Sequence, residues 1–231
     1  MSAYSSTVEN YVKAIYLRHR ERPGEFLPMG RIAEAMNVSP GTATSMMKTL
    51  AGLGLIDYSP RNGSRLTRPG ESLALDVLRR HRLVELFLVE VLGLDWSEVH
   101  READNLEHAI SDVVLTRIDA LLNHPTVDPH GDPIPTRRGQ IDQTVFGSLM
   151  EQSEEAELRV ERVTDQDPEF LQFVHRSGLQ PGSRVRVESI DQAADAVTLH
   201  TGHGTVTIGT QAASKILAQP LDSGPLARHP A

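Results

Sequence analysis

The sequence contains no cysteine, which removes disulfides, thiolate nucleophiles and thiolate metal sites together. Aromatic residues make up only 4% of the chain, with a single tryptophan, so its cores must be built from aliphatic side chains. No run of 18 or more apolar residues occurs, and no membrane-spanning helix is expected. The stretch from Met1 to Asn10 is polar and holds no apolar export segment, so the expected compartment is the cytoplasm. No serine–histidine–aspartate order, phosphate loop or dinucleotide fingerprint stands out, and Gly202 and Gly204 read as turn glycines.

Positive charge is also in short supply. The chain has 23 Lys+Arg against 31 Asp+Glu, a net charge of −8, which on its face argues against a nucleic-acid partner. The distribution argues the other way. Residues 1–82 carry 12 basic against 7 acidic side chains, a balance of +5, and the remainder a balance of −13. A basic front and an acidic back suit a DNA-binding module joined to a metal-binding or sensing body.

The front reads as a winged helix-turn-helix. Val8, Tyr11, Val12, Ile15 and Tyr16 predict one buried helix face between Thr7 and about Arg20, ended by Arg22-Pro23-Gly24. A short helix over Met29 to Met36 and a tight Asn37-Val38 connection follow. The third helix begins with Ser39 as N-cap and Pro40 at its first position, and turns Met46, Met47 and Leu50 inward. Two short strands around Asn62-Gly63 predict a hairpin. In such a module the third helix enters the major groove. Ser39, Pro40, Gly41, Thr42, Ser45 and Lys48 are then its candidate DNA contacts, with Arg61 and Arg65 on the wing.

A long helix is expected from Glu71 to Val91, then a helix opened by an Asp95-x-x-Glu98 capping box, then a helical stretch to Leu122 broken near Ser111. Ile110, Val113, Val114 and Leu121 form an apolar face suited to a dimer contact. Residues 136–154 read as linker, 155–221 as a small bent sheet or barrel with a helix at Glu169 to Arg176, and 222–231 as a flexible tail. The expected architecture is mainly α with β: a winged helix over 1–70, a helical metal-binding and dimerisation domain over 71–135, and a C-terminal SH3-like barrel.

Between positions 81 and 108 lies a stripe of metal-liking side chains: His81, Glu85, His100, Asp104, Glu107 and His108. At about 100° per residue, positions 100, 104, 107 and 108 fall near one quadrant of a helix. Carboxylates and imidazoles gathered on one face need positive charge between them, which a divalent cation supplies. Oxygen and imidazole donors without sulfur suit Mn²⁺ or Fe²⁺, with Zn²⁺ also able to bind.

The motifs His81-Arg82-Leu83-x-Glu85, Gly93-Leu94-Asp95, Val99-His100-x-Glu102-Ala103, Leu106-Glu107-His108, Ser111-Asp112 and Asp128-Pro129-His130-Gly131-Asp132-Pro133-Ile134-Pro135 resemble the diphtheria toxin repressor family, which includes the manganese transport regulators. The resemblance implies a homodimeric repressor that binds operator DNA when loaded with Mn²⁺ or Fe²⁺, and not an enzyme. It implies an ancillary metal site of His81, Glu85, His100, Glu169 and Gln172, and a primary site of Asn10, Asp104, Glu107 and His108. It also assigns Arg82 to an anion. The chain departs from the pattern at five positions. Asp104 stands where the iron branch has Cys and manganese members often have Glu, and Asn10 where those branches have Met or Asp. Lys13 stands where manganese members can have a Glu ligand, and Asp128 and Asp132 replace the Ser and Asn partners of the anion. These oxygen donors favour Mn²⁺. The alternatives are a carboxylate-bridged metal enzyme, which needs paired Glu-x-x-His motifs that this chain lacks, and a winged-helix regulator of an organic ligand.

Overall fold

The computed structural model describes residues 4–20 and 25–221, so the Arg22-Pro23-Gly24 stop and the 222–231 tail lie outside the described residues. The chain divides into two compact units. One takes in the chain as far as Val84 with Asp104–His124 and Ile134–Ile141. The other takes in Glu85–Ala103, Pro125–Pro133 and the chain from Asp142 onward.

In the first unit, α1 (Ser6–His19) starts at Ser5, whose hydroxyl accepts from the Val8 N–H at 3.4 Å. Val8, Tyr11, Val12, Ile15 and Tyr16 are buried on one face. After α2 (Met29–Ala35), Asn37 takes a left-handed φ of 49°, which a short polar side chain tolerates, and turns the chain toward α3 (Pro40–Gly52). Ser39 caps α3 by accepting from the Thr42 N–H at 3.2 Å. Strands β1 (Ile56–Ser59) and β2 (Gly63–Leu66) pair antiparallel, Ile56 opposite Leu66. Val12, Ile15, Ile32, Met47, Leu50, Leu55, Ile56 and Leu78 share one core, so α1 and α3 rest on common side chains. Losing a large member of it, such as Leu50→Ala, typically costs about 2–5 kcal/mol.

α4 (Arg68–Glu90) begins in this unit, a few residues ahead of its expected start, and α6 (Asp112–Leu121) is capped by Ser111. The buried Arg79 meets Asp119 at 2.9 Å and donates to the Pro135 carbonyl at 2.7 Å. Arg80 reaches Asp76, the Ile110 carbonyl and Asp112, and ties α4 to α6. On α6, Val113 is 72% exposed, Val114 49% and Leu121 60%, so this face of the helix is apolar and turned to solvent. Ile110, just before the helix, is half-buried.

The second unit is built on six antiparallel strands: β3 (Gly147–Ser148), β4 (Glu157–Val163), β5 (Arg184–Asp191), β6 (Ala196–Thr201), β7 (Gly204–Ile208) and β8 (Ile216–Pro220), in the order β3-β8-β4-β5-β6-β7. Register shifts in β4 between Val160 and Arg162, and in β5 between Val187 and Ser189, mark the irregularities at which such a sheet bends. Alternate residues (Leu158, Val160, Val185, Val187, Val197, Leu199, Ile216 and Ala218) fill its core. α7 (Pro168–Arg176) is capped by Asp167, and a short α8 (Thr210–Ala213) precedes β8.

Two expectations are corrected. The capping box does not open a helix at Asp95: its carboxylate accepts from Ser97 N–H and hydroxyl, and α5 (Val99–Leu106) starts only at Val99. β3 and a 3-10 turn over Leu149–Glu151 lie inside the stretch read as linker, because Ser148 and Glu151 cap one another and β3 pairs with β8. Within the stretch expected as a barrel, β8 gives only a weak local signal, since its alternation is short and runs into Pro220. Within the stretch expected as the helical domain, residues 85–103 and 125–133 group with the second unit and the rest with the first, the change falling within α4.

Gly63 sits at φ +107°, where a Cβ would lie 2.0 Å from the Leu27 carbonyl oxygen. Gly63→Ala is expected to destabilise the protein by about 3 kcal/mol, read as a lowered Tm. His19, with Nε2 3.2 Å from the Ser64 carbonyl, has its pKa lowered chiefly by burial. The unfolded chain takes up this proton near pH 6.5, while the folded chain resists it. The stability is therefore complete above about pH 6.5 and declines as the pH falls below it. Urea midpoints at pH 7.5 and 5.5 should differ less in His19→Gln than in the parent protein.

Candidate metal centre

Of the expected helical stripe, His100 and Asp104 lie on α5, but Glu107 and His108 do not. The helix ends at Leu106, and the Ala109 and Ile110 N–H groups close a turn onto its carbonyl at 3.0 and 3.1 Å. That turn buries Glu107 completely. A carboxylate so placed must be compensated. Lys13 Nζ stands 2.7 and 2.9 Å from its two oxygens and 2.9 Å from Asp104 Oδ1. His81 Nδ1 lies 2.5 Å from Glu107 Oε2 and 3.3 Å from Asp104 Oδ1.

His108 faces acceptors at both ring nitrogens. Nδ1 contacts the buried Glu9 carboxylate, while Nε2 lies 2.8 Å from Asn10 Oδ1 and 3.2 Å from Glu107 Oε1. Of the four expected primary-site residues, Asn10 and Glu107 both meet His108, and Asp104 joins Glu107 through Lys13 and His81, all within one unit. Their donor set of two carboxylates, a carboxamide oxygen and an imidazole fits a hard or borderline divalent cation. A cation, Lys13, already stands among the carboxylates. Sequence reasoning missed Glu9, a carboxylate behind the candidate ligand His108, which holds the ring's orientation. It also did not draw the contact of His81 with Glu107.

The second unit contains a different cluster. Glu85, fully buried, meets His100 Nδ1 at 3.0 Å. Glu85, Asp128 and His130 each bring one possible ligand atom within 4.8 Å of the others, and all three are buried. Asp128 Oδ1 accepts the His130 and Asp132 N–H groups at 2.8 and 3.0 Å, which shapes the Asp128–Asp132 loop. At its tip, Gly131 has φ +84°, and a Cβ there would lie 1.9 Å from the Glu161 carbonyl oxygen, so only glycine lets this loop rest on β4.

His130 stacks on Trp96 at 5.3 Å and donates from Nε2 to the Trp96 carbonyl at 3.0 Å. That bond leaves Nδ1 with its lone pair, buried and without a hydrogen-bond partner. Burial pushes the His130 pKa down, against the opposing pull of Glu85, the Trp96 carbonyl and Asp132. A neutral buried imidazole aimed at two carboxylates also fits a divalent ion. The loop carrying Asp128 was read only as the anion segment. Arg162 approaches Asp132 at 3.6 Å, whereas Arg82 is buried on α4. Glu169 and Gln172 lie one turn apart on the exposed side of α7.

The expected DNA contacts gather on the first unit. Ser39, Pro40, Gly41, Thr42, Ser45 and Lys48 are exposed along the start of α3, and Arg61 and Arg65 are exposed on the hairpin. Arg65 pairs with Asp57 at 2.9 Å across β1 and β2 and lies 5.1 Å over the Phe26 ring. Its guanidinium is therefore held in place on the wing.

Family models for iron dependent repressors match both halves of this arrangement: the N-terminal DNA binding domain over residues 3–64 and the metal binding and dimerisation domain over residues 67–136. A FeoA domain model matches residues 148–220. The chain is 31% identical over 220 residues to the iron-dependent repressor IdeR of Mycobacterium leprae, covering 90% of this chain and 94% of that protein. It is 31% identical over 206 residues to the diphtheria toxin repressor of Corynebacterium glutamicum, covering 85% and 89%. Its structure is similar to a manganese-dependent transcriptional repressor in complex with manganese, with a TM-score of 0.82 and 37% identity over 93% of this chain and all of that one. Likeness at this level along nine-tenths of the chain, with the domains matched in the same order, means that the protein belongs to the iron-dependent, diphtheria toxin repressor-like family of metal-dependent transcriptional repressors.

Proposed function

We propose that this chain is a manganese-responsive repressor of metal-uptake genes, in which an ion held by Asn10, Asp104, Glu107 and His108 fixes α1 in the geometry that presents α3 to operator DNA. The observation that carries the reading is a shared core. Asn10 and the His108 partner Glu9 sit on α1, whose buried Val12 and Ile15 pack in the same cluster as Met47 and Leu50 of α3. A divalent ion supplies the charge that gathers the carboxylates, and Asn10 supplies the link from that charge to α1. Oxygen and imidazole donors without sulfur favour Mn²⁺, with Fe²⁺ as the alternative.

Glu85, His100, Asp128 and His130 form the donor set of a second metal site, with Glu169 and Gln172 of α7 as its expected additional ligands. The exposed apolar face of Val113, Val114 and Leu121 suits a homodimer contact, and a two-fold dimer reads a palindromic operator. Coupling of this kind is reciprocal: operator DNA tightens metal binding by the factor with which metal tightens DNA binding.

Metal-stripped protein titrated with Mn²⁺, Fe²⁺ and Zn²⁺ against operator fragments selected from genomic DNA should acquire specific binding in the micromolar range of metal, with Mn²⁺ effective. DNA binding indifferent to metal would overturn the reading. Asn10→Ala is expected to retain metal at Glu107 and His108 but to lose most of the metal dependence of DNA binding. Metal-dependent DNA binding left intact in that variant would exclude coupling through α1. Because imidazole ligands must be neutral, metal affinity should hold from pH 7.5 to about 6.5 and fall below about pH 6. A flat affinity down to pH 5.5, measured by calorimetry, would remove the histidines from the ligand set.

A further inference from the structure

We propose that the Lys13 ammonium is a built-in competitor of the divalent ion at the Glu107 cluster, so that metal binding there is an exchange of one cation for another and Lys13 sets the affinity. The proposal rests on the reading of Asp104 and Glu107 as ligands. Lys13 lies on α1, one turn beyond Glu9 and Asn10. Its ammonium has three N–H donors. Three carboxylate oxygens stand to receive them: Glu107 Oε1 at 2.7 Å, Glu107 Oε2 at 2.9 Å and Asp104 Oδ1 at 2.9 Å. The nitrogen is also 3.4 Å from His81 Nδ1. The Lys13 side chain is 12% exposed and that of Glu107 not at all, so this is no solvent-screened surface pair.

These are the oxygens a divalent ion must take. Two cations cannot be bonded to the same oxygens, because like charges at such separations repel strongly beside the buried Glu107, where water screens them little. A lysine at this place therefore does two things. In the metal-free protein it compensates a buried carboxylate that would otherwise be very costly to hold ionised. In the presence of metal it must withdraw, so the measured affinity is weaker than the donor set alone would give. The responsive concentration of metal is raised accordingly.

The test is calorimetric titration of the full-length, metal-free protein with MnCl₂, in which the binding event of this cluster is identified by its loss in Glu107→Gln. Lys13→Met keeps the reach of the side chain and removes the charge. It is expected to tighten that event by at least about tenfold and to lower the Tm of the metal-free protein. Lys13→Arg keeps the charge and is expected to bind no more tightly than the parent. Lys13→Leu provides the same comparison where metal-free Lys13→Met does not fold. Unchanged or weaker Mn²⁺ binding in the uncharged variants, with the parent protein binding normally, would overturn the exchange and leave the sensor reading standing. Binding in the uncharged variants but not in the parent would support the exchange and count against the sensor reading. Binding in neither would overturn both.

Discussion

Full burial of the Glu107 carboxylate is the constraint on which the first unit turns. A charge withdrawn from water must be met by opposite charge and hydrogen bonds, and no single neighbour suffices. Here the compensation comes from Lys13 on α1, His81 on α4 and His108 in the adjoining turn. One carboxylate thus gathers groups from three separate stretches of chain. Because α1 also shares its core with α3, whatever cation occupies this cluster bears on a helix that packs with α3. The Glu107 cluster and the exposed start of α3 are linked through packed side chains within one compact unit.

The second unit solves a similar problem differently. Glu85, Asp128 and His130 are buried together, but there the organising device is backbone. The Asp128 carboxylate shapes its own loop, the Gly131 turn rests on β4, and the Trp96 carbonyl fixes the tautomer of His130. This placement holds the His130 imidazole rigidly beside Glu85 and Asp128. The Glu107 cluster, by contrast, carries its own cation. The two clusters are therefore expected to respond to metal with different affinities and different structural consequences.

Helix and strand positions in the front of the chain were legible because local chemistry is strong there. Ser39-Pro40 opens α3, Asn37 supplies the turn before it, and Asn62-Gly63 closes the hairpin. The back was less legible where the cue is tertiary. β8 is a five-residue strand that exists because β3 and β4 flank it. Glu107 and His108 looked helical by spacing, yet the helix stops at Leu106 because a buried carboxylate and its partners draw the chain inward.

By itself, the sequence supplied the candidates for metal-binding and DNA-binding chemistry, since residue type and local spacing are properties of the chain. It also determined the family, through motifs spread along nearly its whole length. Only the tertiary structure decided which of those residues meet. Lys13 lies 91 and 94 positions from Asp104 and Glu107, and His108 lies 99 positions from Glu9. No local pattern encodes contacts at such separations. They follow from the packing of α1 against the rest of its unit and from the need to compensate a charge that the fold has taken out of water.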